Sequence, residues 1–166
     1  MGKVTLVLGG ARSGKSAYAE KLIEEQGGGL YLATSRVWDA EMAERVQTHQ
    51  ARRNELWTTI EEPVHIHDLV EKTDKPMLVD CLTLWLTNIM DEEADITLET
   101  QKLCAALSAA KCDVVVVSNE VGLGIVPDNA LARKFRDHAG RLNQAVAQVA
   151  DRVLFIAAGL PLTLKE

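Results

Sequence analysis

Short apolar runs alternate along this chain with longer segments in which apolar residues recur every three or four positions. Val4–Leu8 is an unbroken run of β-branched residues and leucine closed by Gly9-Gly10, which predicts a buried strand. Lys15 to Gln26 carries Ala17, Ala19, Leu22 and Ile23 on one side and predicts a helix stopped by Gly27-Gly28-Gly29. Leu30–Ala33 predicts a second strand. Asp39 is placed to cap a long helix reaching about Asn54, and Val64–Lys72 predicts a weaker one. Met77–Val79 predicts a third strand, ended by Asp80. Leu82–Met90 stays apolar without alternating, as a buried helix does, and Thr97–Lys111 predicts another helix. The four valines Val114–Val117 suit a central parallel strand covered on both faces. Ala130–Ala150 predicts a long helix, Val153–Ala157 a strand, and Leu162–Leu164 a last strand at the sheet edge.

Strands that alternate with helices imply crossover connections and a mostly parallel sheet with helices on both faces. The expected fold is a three-layer α/β sandwich. The 166 residues show no repeat, low-complexity tract or linker, so a single domain, 1–166, is expected. Charged residues make up 25% of the chain and the formal net charge is -6. An acidic surplus argues against nucleic acid as a partner, because sequence-independent binding there depends on neutralising phosphates. It leaves room for a phosphate-bearing small ligand at a local basic cluster. Cys81, Cys104 and Cys112 lack metal-type spacing and read as free thiols of a reducing compartment. Val4–Leu8 is too short for a signal peptide's apolar core, and no stretch approaches the ~20 apolar residues of a membrane span. A cytoplasmic protein without a membrane span is expected.

The segment Gly9-Gly10-Ala11-Arg12-Ser13-Gly14-Lys15-Ser16 matches G-x-x-x-x-G-K-[ST], with a predicted strand before it and a helix after it. Glycines let the backbone turn tightly and aim successive N–H groups inward, and the helix N-terminus adds partial positive charge. Lys15 can reach the β- and γ-phosphates, and the Ser16 hydroxyl can ligate Mg²⁺. The expectation is a P-loop NTPase-type site for nucleoside triphosphates. The guanine-reading Asn-Lys-x-Asp sequence of GTPases is absent, since Asn119 is followed by Glu120.

In an open parallel sheet, ligands bind beyond the carboxyl ends of the strands. That edge should gather the phosphate loop, Thr34-Ser35-Arg36, Asp80-Cys81 and Ser118-Asn119-Glu120. Asp80, an acid ending an apolar strand, reads either as a metal-organising carboxylate or as a cap of the next helix. The loop from Ser118 to Pro127 reads either as a substrate loop or as a connector. On the helix after Asp39, positions Arg45, His49, Arg52 and Arg53 share one side. This is either a solvated basic face or a triphosphate-attracting band whose cations favour the neutral, nucleophilic imidazole. Arg133 to Gln144 likewise either presents cations to a substrate or is salt-bridged. His65 and His67 stand two residues apart, on different helix faces, so a shared metal site is not expected.

Several stretches together resemble one family, the bifunctional adenosylcobinamide kinase / adenosylcobinamide-phosphate guanylyltransferases of cobalamin biosynthesis. They are Gly9–Ser16, Tyr31–Ser35, Asp39–Met42 followed by Arg45–Arg53, Trp57, Glu61–Pro63, Val79–Asn88, Ser118–Pro127, Arg133–Gln144 and Gly159–Pro161. The acidic segment Asp91–Thr97 matches no feature of the family. The resemblance implies two reactions. The hydroxyl of the aminopropanol arm takes a phosphoryl group from ATP or GTP, and GTP then guanylylates a histidine that passes GMP to the new phosphate. His49 is the matching histidine and Lys15 the catalytic lysine. The resemblance further implies nucleotide contacts from Gly9, Gly10, Ala11, Arg12, Ser13, Gly14, Lys15, Ser16, Thr34, Ser35, Arg36, Gln50, Arg52, Arg53, Glu61 and Asp80. Mg²⁺ would sit on Ser16 and Asp80, with Arg45, Arg52 and Arg53 stabilising the transferred phosphorus. Implied partners are ATP, GTP, adenosylcobinamide and its phosphate, and further copies of the chain in a homo-oligomer, expected to be a trimer. The rival expectations are a P-loop kinase of another small alcohol, which would form no covalent GMP, and a nucleotide sensor, which would bind without turnover.

Overall fold

A computed structural model describes residues 1–36 and 39–166, with the side chains of His49 and Arg52 set aside. In chain order the elements are β1 (Val4–Gly9), α1 (Lys15–Glu24), β2 (Gly29–Ala33), α2 (Ala40–Arg52), β3 (Trp57–Glu61), α3 (Ile66–Lys72), β4 (Met77–Asp80), α4 (Leu82–Asp91), α5 (Ile96–Ala109), β5 (Val114–Asn119), α6 (Ala130–Val149), β6 (Arg152–Ala157) and β7 (Leu160–Lys165). One sheet runs in the order β3-β2-β4-β5-β1-β6-β7. Every neighbouring pair is parallel except β6 and β7, which form an antiparallel hairpin at the edge.

Side chains of the central strands alternate between two cores, as the period of a strand requires. Val4, Leu6 and Leu8 of β1 join Val114 and Val116 of β5 against Trp85, Leu103 and Val146. Val7, Val115 and Val117 face the other way, onto Ala19 and Ile23 of α1. Because both faces are covered, the four valines of β5 are all buried. The starts of α2, α5 and α6 are fixed by side-chain caps. Asp39 accepts from the Met42 N–H at 2.8 Å, Asp95 from Leu98 at 3.0 Å, and Asn129 from Ala132 at 2.8 Å. Among the described residues, no helix is long and apolar enough to cross a membrane.

Three sequence expectations change. β3 was not foreseen. Only Trp57 in it is buried, because it is an edge strand and its polar threonines give no apolar alternation. Helix α2 stops at Arg52, and Arg53 is extended (φ -81°, ψ 129°), so helical spacing does not place Arg53. Helix α4 is preceded by Cys81 and has no side-chain cap, so Asp80 does not serve as one.

Candidate functional site

Residues 10–14 turn from the central strand β1 into α1. Arg12 (φ 54°) and Gly14 (φ 91°) are both left-handed, a conformation that turns successive N–H groups toward a common centre. No side chain caps α1 and no acid stands in its first turn, so its leading N–H groups remain available to an anion. Gly9 is required by space, since a Cβ there would lie 2.5 Å from Ser13 Oγ and 2.8 Å from the Ile156 carbonyl. The loop is also held from outside: the Gly159 N–H, in the β6–β7 turn, donates to the Ser13 carbonyl at 2.7 Å. Lys15 is buried, and its Nζ donates to the Gly10 carbonyl at 2.9 Å. Burial pushes its pKa below the ordinary lysine value, against opposing pulls from Cys81 and Asp80.

Asp80 ends β4, two strands away from β1. Its Oδ2 accepts a hydrogen bond from the Tyr31 hydroxyl on the neighbouring strand β2. The Arg53 guanidinium carbon lies 3.7 Å above the centre of the Tyr31 ring. Trp57 meets the same ring edge-on at 5.7 Å and 81°, and its indole N–H donates to Glu24 at 3.0 Å. Burial, reinforced by the Asp80 carboxylate, raises the Tyr31 pKa, so the hydroxyl keeps its proton and acts as donor. Burial also holds the Cys81 thiol protonated, its pKa pushed up to about 11. The Asp80–Cys81 peptide bond is cis. Thr34 braces this corner: its hydroxyl donates to the Cys81 carbonyl at 2.8 Å and accepts from the Cys81 N–H at 2.9 Å. Asn88, buried on α4, donates to the Thr34 and Pro63 carbonyls at 2.7 and 2.9 Å.

These features open onto one cleft of about 770 Å³. Of the residues expected at the nucleotide, Ala11, Arg12, Ser13, Gly14, Lys15, Ser16, Ser35, Gln50, Arg53, Glu61 and Asp80 line it, together with Arg45. Gly9 and Gly10 form the strand end and first turn of the loop. Two expected residues stand apart from the lining. Thr34 is fully buried in the bracing just described, and Arg36 is paired with Glu92 of the α4–α5 connection. The side chains of His49 and Arg52 lie outside the described residues; their backbones are in α2, whose Met42, Arg45, Val46 and Gln50 form one wall of the cleft. Tyr31 and Leu84 also line the cleft and were not foreseen. Tyr31 reads in the sequence as apolar filling of a strand. Its approach to Asp80 becomes visible only once β2 pairs with β4 in the register Ala33↔Asp80.

Ser16 and Asp80 offer hydroxyl and carboxylate oxygens to the same cleft. Among the described residues there is no group of three or more His, Cys, Asp or Glu able to enclose a metal. That donor set fits Mg²⁺, which takes one or two protein oxygens and completes its shell with water and phosphate oxygens. It does not fit a closed zinc-type site.

The cobinamide kinase / cobinamide phosphate guanyltransferase family profile matches residues 5–164. A bifunctional adenosylcobalamin biosynthesis protein of Pseudomonas aeruginosa, CobP, is 44% identical, with 96% of each chain covered. Its Escherichia coli counterpart, CobU, is 41% identical over 96% of this chain and 98% of its own. Among solved structures, the RadB recombinase is similar at a TM-score of 0.54 and 14% identity, covering 92% of this chain and 73% of that one. An ATPase of the type III secretion system of pathogenic bacteria is similar at 0.55 and 12%, covering 98% and 57%. The last two likenesses establish the P-loop NTPase fold alone, whereas the profile and the near full-length relatives go further: the chain belongs to the cobinamide kinase / cobinamide phosphate guanyltransferase family.

Proposed function

We propose that this protein, as one domain, phosphorylates the aminopropanol hydroxyl of adenosylcobinamide with ATP or GTP and then converts the product to adenosylcobinamide-GDP through a covalent GMP–His49 intermediate. The observation that carries this reading is a single cleft. It has a phosphate loop on one side and the helix bearing Arg45, His49 and Gln50 on the other. Both reactions are substitutions at phosphorus, so one set of phosphate-holding groups serves both.

In the first step the loop N–H groups and Lys15 hold the triphosphate while the substrate hydroxyl attacks the γ-phosphorus. A new P–O bond forms, the alcohol's proton passes to solvent, and the nucleoside diphosphate leaves with the electrons of the broken bond. In the second step a neutral imidazole nitrogen of His49 attacks the α-phosphorus of GTP. A P–N bond forms as the bond to pyrophosphate breaks, with Arg45, Arg52 and Arg53 stabilising the charge on the equatorial oxygens. A phosphate oxygen of the acceptor then displaces the histidine, which recovers its free nitrogen. Ser16 and Asp80 would hold Mg²⁺, which when bound neutralises charge on the phosphate oxygens.

The same reading includes a cytoplasmic homo-oligomer, a trimer, for which exposed Leu123, Ile125 and Leu131 offer apolar surface; light scattering at micromolar concentration measures its mass. The decisive experiment is incubation with α-labelled GTP and Mg²⁺, a quench, and detection of acid-labile, base-stable label on the chain. Label is expected on the unmutated protein and not on His49→Ala. An unlabelled native chain would overturn the guanylyl transfer, and label persisting in His49→Ala would move the nucleophile elsewhere.

A further inference from the structure

We infer that Tyr31 is a positioning residue: it orients the Asp80 carboxylate through its hydroxyl and seats Arg53 on its ring, so that one side chain sets both the metal carboxylate and the exit of the helix that carries His49. The inference rests on the proposed placement of Mg²⁺ at Asp80.

Tyr31 is only 3% exposed, yet its hydroxyl reaches the cleft and donates to Asp80 Oδ2. Among the described residues Oδ1 takes no hydrogen bond, which leaves that oxygen for a cation. A carboxylate oxygen can only accept, so the hydroxyl is the donor and the direction of this bond is fixed. The ring is itself locked, because Trp57 abuts its edge and is tied to α1 through Glu24. A residue serving only to fill the core would need the ring and no hydroxyl. A face of that ring carries the Arg53 guanidinium at 3.7 Å, a cation–π contact made by the first residue after α2. Arg53 also lines the cleft, so the stack fixes where its charge meets a phosphate.

Two variants separate the two duties. Tyr31→Phe keeps the ring and removes only the hydroxyl. With Mn²⁺ as a spin probe and a non-hydrolysable GTP analogue present, it should bind the metal about 10-fold more weakly, in the range typical of partners that orient metal ligands. Affinity for the analogue without metal should not change. Arg53→Gln should leave Mn²⁺ affinity intact and slow labelling of the chain by α-labelled GTP. Unchanged Mn²⁺ affinity in Tyr31→Phe, with only a lower melting temperature, would overturn the inference and make Tyr31 a core residue. Unchanged labelling in Arg53→Gln would overturn its second half.

The unmutated chain gives a test free of folding effects. It has two tyrosines, so fluorotyrosine labelling yields two ¹⁹F signals. The Tyr31 signal should move when Mg²⁺ is added to the nucleotide complex, and a signal that stays in place counts against the contact with the metal carboxylate. Metal binding is read without turnover. A native chain that binds Mn²⁺ but takes no label therefore sinks the proposed guanylyl transfer, and a labelled native chain with an unaffected Tyr31→Phe sinks only this inference.

Discussion

Helix α1 sends Ala19 and Ile23 into the core and begins with a buried Lys15, whereas α2, on the other side of the same cleft, has no buried residue among those described. The phosphate loop and α1 continue a strand that is buried along its whole length. Helix α2 is joined to the body by the Arg53 stack on Tyr31 and by half-buried Met42 and Val46. Holding a triphosphate is therefore bound up with the stability of the fold, while the histidine rides on an element the fold hardly depends on. That division suits the proposed reaction, in which His49 meets first a nucleotide and then a bulky acceptor.

The comparison can be broken most severely at Lys15. Lys15→Ala should slow both phosphoryl transfer and enzyme labelling by roughly 10²–10³-fold, the usual cost of losing one donor to a developing oxyanion. Steady-state kinase assays and label incorporation measure the two separately, and a loss confined to one of them would show that the cleft is not shared.

The helices themselves give the next effect. Ile23→Ala should lower the unfolding free energy by about 2–5 kcal/mol, as large-to-small core changes do. Gln47→Pro, at an exposed position inside α2, breaks the helix at a local cost of about 3 kcal/mol. Its denaturant midpoint should nevertheless stay near that of the parent, because little buried surface depends on α2. Labelling by GTP should disappear in Gln47→Pro while triphosphate binding persists. A large midpoint shift there would show α2 to be anchored as firmly as α1.

The smallest effect concerns Cys81, which follows Asp80. Its pKa is about 11 in the folded chain and about 8.5 when unfolded. Between these values the folded state retains a proton that the unfolded state releases, so stability falls as pH rises through that window. Lys15, with a lowered pKa, has the opposite slope. The difference between the parent and Cys81→Ala in chemical denaturation from pH 8 to 11 isolates the thiol, and it should amount to less than one proton. Parallel pH profiles would show that Cys81 is more open than its burial implies.

What the sequence disclosed follows the range of the interactions involved. The phosphate loop was legible because its strand, turn and helix are contiguous and each residue type is demanded locally: Gly9 by space, Gly14 by a positive φ, Lys15 by reach. The alternation of strands and helices was enough for the parallel sheet. β3 was missed because an edge strand needs few apolar residues. Thr34 and Arg36 were expected at the nucleotide because they follow a strand end, but that position alone cannot say which side chains turn inward. Thr34 turned to brace the Asp80–Cys81 backbone, and Arg36 found Glu92. Tyr31 stayed hidden because its partner is 49 residues away, whereas Arg53 was expected at the cleft and lines it, although the helical spacing used for it runs one residue past the helix end.

The order of the sheet also bears on the birth of the molecule. β1 precedes every other strand of this sheet, and both of its neighbours come late: Gly9 pairs with Asn119 of β5 and Ile156 of β6. At a translation speed of about 5–20 residues per second, roughly 7–30 seconds separate the synthesis of the phosphate loop from that of β6, the second strand beside β1. Throughout that interval an apolar strand lacks a partner on at least one side. The part of the chain easiest to recognise in the sequence is thus among the last to become a site.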